Sequence, residues 1–347
     1  MSDVAATAAA SASDRADWAL LEVRDLVVRY TVRRSMSDAM RRVPRGWVRA
    51  VDGVSLSVRA GEMLAVVGES GCGKTSTAQA ILRMVEPTSG TIEVDGQDIT
   101  GLTGADLRVV RRSMQMVYQD PYESLDPRFR VRRAVEEPMV IHGIGGSKQE
   151  RERLVVEALE RVELSPADLF IDRYPHELSG GQRQRVAIAA SLVLEPKLLL
   201  ADEPVSMLDV SVRAGILTLL DRLRRDGDMG ILMITHDLST AAHFADRIAV
   251  MYLGRIVEEG AAREVVRDPK HPYTRALMSV VPKRDPRDRT EPRILQGETP
   301  NPIDIPAGCR FHPRCPLAED RCTMTDPQLH EVGNAVGEPH RAACILV

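Results

Sequence analysis

The chain is short of aromatic residues, of cysteine, of net positive charge and of long apolar runs, and these shortages limit what it can be. Aromatics are 3% of its 347 residues against 44% hydrophobic residues overall, so a full-sized core is available but must be mostly aliphatic. The formal net charge of −4 supplies no global attraction to nucleic acid. No apolar run approaches the roughly 20 residues needed to span a bilayer. Met1 to Ser13 is rich in Ala and Ser, with no basic residue before Arg15, so it lacks the charged start of a secretory signal. Residues 1–17 read as a disordered leader. Five cysteines in a chain without such a signal point to a reducing compartment, where thiols serve as ligands before they serve as disulfides.

What is present begins with Gly68-Glu69-Ser70-Gly71-Cys72-Gly73-Lys74-Thr75, which fits the phosphate-loop pattern G-x-x-x-x-G-K-[ST]. An apolar run, Met63 to Val67, precedes it as a buried strand, and Ser76 to Arg83 comes after it as a helix. Glycines let the backbone fold into a nest of N–H groups, and the helix start adds positive potential toward phosphate. Ser70, Gly71, Cys72, Gly73 and Ser76 are therefore candidate phosphate contacts. Lys74 would reach the β- and γ-phosphates, and the Thr75 hydroxyl would bind Mg²⁺.

Leu20 to Tyr30 and Val48 to Val58 read as strands, the second with a turn at Asp52-Gly53. Between them, Arg33 to Arg49 carries six arginines against one acid; a solvated insertion accounts for it, with contact to anionic lipid or a membrane partner as the alternative. Thr91 to Val94 opens a hairpin at Asp95-Gly96, and Met114 to Tyr118 is a short strand. Helical periodicity covers Val131 to His142, Lys148 to Val162 and Ser211 to Arg225. Leu198 to Ala201 and Gly230 to Thr235 are strands, and Ile248 to Tyr252 pairs with Arg255 to Glu259 around Gly254. Strands alternating with helices in this way give a mostly parallel sheet. Asp268 to Pro306, rich in proline and charge, reads as a linker with little core of its own. There is no internal repeat.

Two further stretches carry chemistry. Leu198 to Glu203 is an apolar strand ending in two acids, where Asp202 could hold Mg²⁺ and Glu203 could polarise a water. Leu178-Ser179-Gly180-Gly181-Gln182 precedes a helix from Arg183 to Leu194, and bare amides at a helix start again suit phosphate. With these residues in order, the chain resembles the ATP-binding cassette (ABC) ATPases. The resemblance covers most of the chain and implies an α/β fold: a RecA-like P-loop core with an antiparallel β-subdomain and a helical subdomain at about 118–192, all within 18–265. It implies that Gln119 contacts Mg²⁺ and the γ-phosphate, that His236 is a switch histidine, and that Asp209 lies at the dimer face. Tyr30 matches the aromatic that stacks on adenine, with Trp47 as the alternative. In a head-to-tail dimer, Ser179, Gly180, Gly181, Gln182 and Asp209 of one subunit would face the ATP held by Lys74 and Thr75 of the other.

The flanks resemble one group within that family. Gln119-Asp120-Pro121-Tyr122-Glu123-Ser124-Leu125-Asp126-Pro127-Arg128, His271-Pro272-Tyr273-Thr274-Arg275-Ala276-Leu277 and Gly308-Cys309-Arg310-Phe311-His312-Pro313-Arg314-Cys315-Pro316 are similar to segments of oligopeptide and dipeptide importer ATPases. Nickel and glutathione importers share them. The resemblance implies ATP-driven import, with two permease subunits, a second ATPase subunit (a heterodimer favoured over a homodimer), an extracytoplasmic binding protein and no nucleic acid. It places the chain peripherally on the cytoplasmic face of the inner membrane. Residues 266–347 would form a C-terminal extension in which Cys309, Cys315, Cys322 and Cys344 are spaced C-x5-C-x6-C-x21-C. Four thiolates suit a 4Fe–4S cluster or structural zinc; the paired knuckles usual for zinc are absent, and part of the family carries such a cluster.

Overall fold

The computed structural model describes residues 19–32, 46–280, 297–333 and 338–347, apart from the side chains of residues 122–123. The leader at 1–17 and residues 33–45 of the Arg-rich insertion lie outside the described residues.

The first strands, β1 (Ala19–Thr31) and β2 (Trp47–Arg59), alternate buried and exposed positions because only one face of their sheet meets the core. They pair antiparallel, and Gly53, expected at a turn, is instead the extra residue of a bulge within β2. Strand β3 (Met63–Val67) is buried along its whole length. The hairpin β4 (Ser89–Val94) and β5 (Gln97–Asp98) completes a four-stranded sheet in the order β2-β1-β4-β5.

The second sheet holds β6 (Met114–Val117), β7 (Leu198–Asp202), β8 (Gly230–Thr235), β9 (Arg247–Tyr252), β10 (Arg255–Ala261), β11 (His330–Glu331) and β12 (Arg341–Ala342) beside β3, in the order β11-β12-β10-β9-β3-β8-β7-β6. From β9 to β6 the pairing is parallel. Strands β3, β7 and β8 are unbroken apolar runs apart from their ends, because elements pack on both faces of a parallel sheet. On one face lie the β-subdomain and the phosphate-loop helix, with Val28, Val58, Ala78, Ile81, Leu200 and Leu232 in a shared core. The other face carries the helices Val131–His142, Lys148–Arg161, Gly180–Leu192 and Val210–Gly227, whose apolar stripes merge with Met63, Leu199 and Ile231.

The end of the chain departs from its sequence reading. The stretch expected to be a linker contains a helix, Pro272–Ser279, with Pro272, Tyr273, Thr274 and Ala276 buried. Proline read as a breaker is here a helix starter: at the first helical position its missing N–H costs nothing, and the His271 side chain caps the turn by accepting from Tyr273 N–H. Two of the six tyrosines and one of the four phenylalanines meet there. The Tyr252, Tyr273 and Phe311 rings lie 4.7–5.4 Å apart, each at most 1% exposed. Burial of each ring stabilises by roughly 1.5–3 kcal/mol. The extension also joins the sheet, since β12 pairs antiparallel with β10 and covers what would otherwise be an open edge.

Candidate functional site

Four neighbouring strands of the parallel sheet, β3, β8, β7 and β6, deliver the candidate site residues from their carboxyl ends. Gly68 to Thr75 follows β3, His236 follows β8, Asp202 and Glu203 close β7, and Gln119 follows β6. In open α/β sheets ligands bind at this edge, because loops there converge with helix N-termini aimed inward. These groups are far apart along the chain, and parallel pairing brings them into one row.

The phosphate loop is shaped by close backbone approach. Gly73 has φ +111°, and a Cβ there would fall 2.1 Å from the Ala50 carbonyl oxygen, so only glycine fits. Lys74 begins the helix Lys74–Ile81 and is 5% exposed. Its Nζ donates to the carbonyls of Gly68 at 2.8 Å and Glu69 at 2.9 Å, which holds the ammonium over the loop. Cys72 turns inward, with its carbonyl accepting from Gly254 N–H at 2.8 Å, and burial pushes its thiol up. Ser70, Gly71 and Thr75 stay exposed on the open side.

Glu203 lies between the two side chains expected to act with it. Gln119 Nε2 donates to Glu203 Oε2 at 3.1 Å, and His236 Nδ1 lies 3.2 Å from Oε1. The Glu203 backbone is left-handed, φ 46°, and its N–H donates to Ile234 O at 2.9 Å across to β8. A glutamate held in that conformation is the kind of local strain that accompanies functional geometry. Asp202 is buried, and burial raises its carboxyl; the Thr75 hydroxyl opposes that by hydrogen bonding to it, the Glu203 charge adds to it and Lys74 lowers it, leaving a net rise. Thr75 and Asp202 thus meet as an oxygen pair beside Lys74, a donor set that suits Mg²⁺.

Tyr30, near the end of β1, places its hydroxyl 3.4 Å from Ser76 Oγ, and Trp47 pairs with Thr31 one register position away. Both aromatics are exposed. Ser179 caps the helix Gly180–Leu192 in a reciprocal box: its Oγ accepts from Gln182 N–H at 3.3 Å, and Gln182 Oε1 accepts from Ser179 N–H at 3.0 Å. First-turn amides such as Gly180 and Gly181 have no intrahelical acceptor. Ser179 and Asp209 are exposed, and Met207 beside them is 63% exposed.

Sequence reasoning missed four residues. Glu69 receives a bidentate ion pair from Arg314, its carboxylate accepts from the Thr299 hydroxyl, and its N–H donates to the Tyr273 hydroxyl. Tyr273 and Arg314 lie inside stretches recognised as family hallmarks, but nothing in their spacing points to the phosphate loop.

The four tail cysteines line one small cavity, walled by His271, Pro272, Phe311, Ile345 and Leu346. Gly308, φ +68°, lets the chain pass against the Cys322 carbonyl, which accepts from Cys309 N–H at 2.9 Å. Burial pushes the Cys309, Cys315 and Cys344 thiols up. Among the described residues no group of three or more His, Cys, Asp or Glu side chains is arranged to hold a metal ion, so neither the expected 4Fe–4S cluster nor the zinc alternative has a preformed site there.

Comparison with known proteins agrees with this geometry. Residues 51–206 match the family described as ABC transporter, and residues 257–322 match the oligopeptide/dipeptide transporter C-terminal region. A putative peptide import ATP-binding protein of Brucella ovis is 44% identical over 326 residues, covering 94% of this chain and 97% of that protein. The oligopeptide transport ATP-binding protein AppF of Bacillus subtilis is 44% identical over 330 residues, with the same coverage. Among solved structures, a dimeric bacterial ABC transporter cassette, MJ0796, superposes with TM-score 0.60 at 29% identity, covering 70% of this chain and 99% of that one. The chain therefore belongs to the ABC transporter ATPases, in the group that carries the oligopeptide/dipeptide transporter C-terminal region.

Proposed function

We propose that the chain is the ATP-hydrolysing subunit of a peptide importer. The observation that carries this reading is the union of a complete row of ATP-site residues at the strand ends with the C-terminal region matched over residues 257–322. Residues Ser70 to Ser76 cradle the triphosphate, with Lys74 neutralising its charge and Tyr30 or Trp47 against the base. Mg²⁺ supplies charge neutralisation between the phosphates when bound, and Thr75, Asp202 and Gln119 are the side chains that would hold it. Glu203 orients and polarises the attacking water, while Gln119 and His236 fix its two oxygens. Ser179 to Gln182 and Asp209 complete the site of a second ATPase subunit in trans, so ATP favours the closed dimer and hydrolysis releases it.

A heterodimer with a different ATPase subunit is favoured, together with two permease chains, an extracytoplasmic binding protein and a peripheral position on the cytoplasmic membrane face. No described helix is long and apolar enough to cross a membrane. Co-expression with the permease subunits of a peptide importer should give a complex that couples ATP hydrolysis to uptake of di- or oligopeptides. Uptake of nickel or glutathione instead would reassign the cargo, and copurification with nucleic acid but no permease would overturn the importer reading. Full transport with this chain as the sole ATPase would overturn the heterodimer.

The tail cysteines are read as ligands of a 4Fe–4S cluster. The support for this reading is that four thiols line one cavity, the number of cysteine ligands such a cluster takes. Bound iron would also reverse the pKa rise that burial imposes on these thiols. Anaerobic purification should give about four iron and four sulfide per chain. Stoichiometric zinc without sulfide, or a folded tail free of metal, would refute this.

A further inference from the structure

We propose that the C-terminal extension is a working part of the ATP site, and that Arg314 is a positioning residue for the phosphate loop, acting through Glu69. The inference rests on the reading of Gly68 to Thr75 as that site. Every polar group of Glu69 is engaged. Its carboxylate takes Arg314 Nη1 at 2.8 Å and Nη2 at 3.1 Å, and the Thr299 hydroxyl at 2.7 Å. Its N–H donates to Tyr273 Oη at 2.9 Å, and its carbonyl accepts from Lys74 Nζ at 2.9 Å and from Cys72 N–H at 3.4 Å. The first three partners come from residues 273–314; the last two belong to the phosphate loop itself. Glu69 is therefore a pin, fixed on one side by the extension and on the other by the lysine that meets the phosphates.

The fixing groups are rigid. The Arg314 side chain is 7% exposed, and its guanidinium lies 5.9 Å from the centre of the Tyr252 ring. It closes the turn His312–Arg314, and Cys315 comes directly after it. Tyr273 is fully buried against Tyr252 and Phe311. A bidentate guanidinium–carboxylate pair fixes orientation as well as distance, which a lysine cannot reproduce. Without Arg314, the Glu69 carboxylate keeps only the Thr299 hydroxyl, and the loop that holds Lys74 is fixed to the extension less firmly, through the Tyr273 and Thr299 hydroxyls. Binding of ATP would then have to order the loop first, which lowers affinity while leaving Glu203, Gln119 and His236 unchanged.

The test uses the full chain and the assembled importer. ATP·Mg²⁺ binding by the unaltered chain tests the reading of the site by itself, so its failure is told apart from failure of the pin. Arg314→Met should raise Kd for ATP about 5- to 20-fold and raise KM in parallel, with kcat at saturating ATP within about twofold. Arg314→Lys should recover part of the affinity. Glu69→Gln should weaken binding less, and its combination with Arg314→Met should be clearly less than additive, because both remove one interaction. Urea midpoints for each variant separate this from unfolding. Unchanged Kd and KM in folded Arg314→Met would overturn the proposal; so would additive effects, or an affinity loss that follows the loss of stability.

Discussion

Glu203→Gln is expected to bind ATP with nearly unchanged affinity and to lose hydrolysis by roughly 10²–10⁴-fold, the range for removing a positioned general base. The reason is local. Glutamine keeps the size of the side chain and can still contact Gln119 and His236, which lie 3.1 and 3.2 Å from the two carboxylate oxygens. It cannot take a proton from water. The phosphate loop is untouched, so the ATP-bound dimer should accumulate and be visible by size-exclusion chromatography. Lys74→Ala should fail earlier, at nucleotide binding, because it removes the ammonium held by the Gly68 and Glu69 carbonyls. Steady-state hydrolysis in the assembled importer, with equilibrium ATP binding to the isolated chain, distinguishes the two. Wild-type turnover by Glu203→Gln would end the assignment of Glu203.

Acid should weaken the attachment of the extension to the sheet. His271 is fully buried, and burial lowers its pKa to about 4, against a smaller opposing effect of Glu258. The imidazole is therefore neutral in the fold but free to protonate in the unfolded chain near pH 6.5. The unfolded state binds the extra proton, so stability falls as pH drops below about 6.5 and goes on falling until about 4, where the folded form protonates too. Over that window the loss is roughly 3 kcal/mol, at 1.36 kcal/mol per pH unit. Around the ring, Nδ1 accepts from Tyr273 N–H, and Glu258 accepts from His271 N–H at 2.8 Å and His340 Nε2 at 2.7 Å. Loss of this joint would release Tyr273 from Glu69. Urea midpoints at pH 7 and pH 4.5 should differ for the native chain and differ less for His271→Gln; equal pH sensitivity in both would refute the assignment.

The central strands and the chemistry that ends them could be read from the residues without coordinates. Met63 to Val67, Leu198 to Ala201 and Gly230 to Thr235 were legible because strands covered on both faces need uninterrupted apolar runs, and the polar residues just beyond each run are left to chemistry. The phosphate loop was legible because a tight N–H nest admits so few residue types. Asp202 and Glu203 could be read from the end of their apolar strand, whereas Gln119 and His236 came only from the resemblance to ABC ATPases; that parallel strands share one carboxyl edge explains why the four meet. Long-range packing settled the rest. Pro272–Ser279 was hidden because proline signals a break, and only His271 and the aromatic cluster at Tyr252 and Phe311 make it a buried helix start. The strand β12 is two residues long and has no periodicity to read; it exists because β10 offers an edge. The meeting of Glu69 with Tyr273, Thr299 and Arg314 spans 204 to 245 residues of sequence separation. Local pattern carries no information over that distance, and the packing of the extension against the sheet brings those groups together.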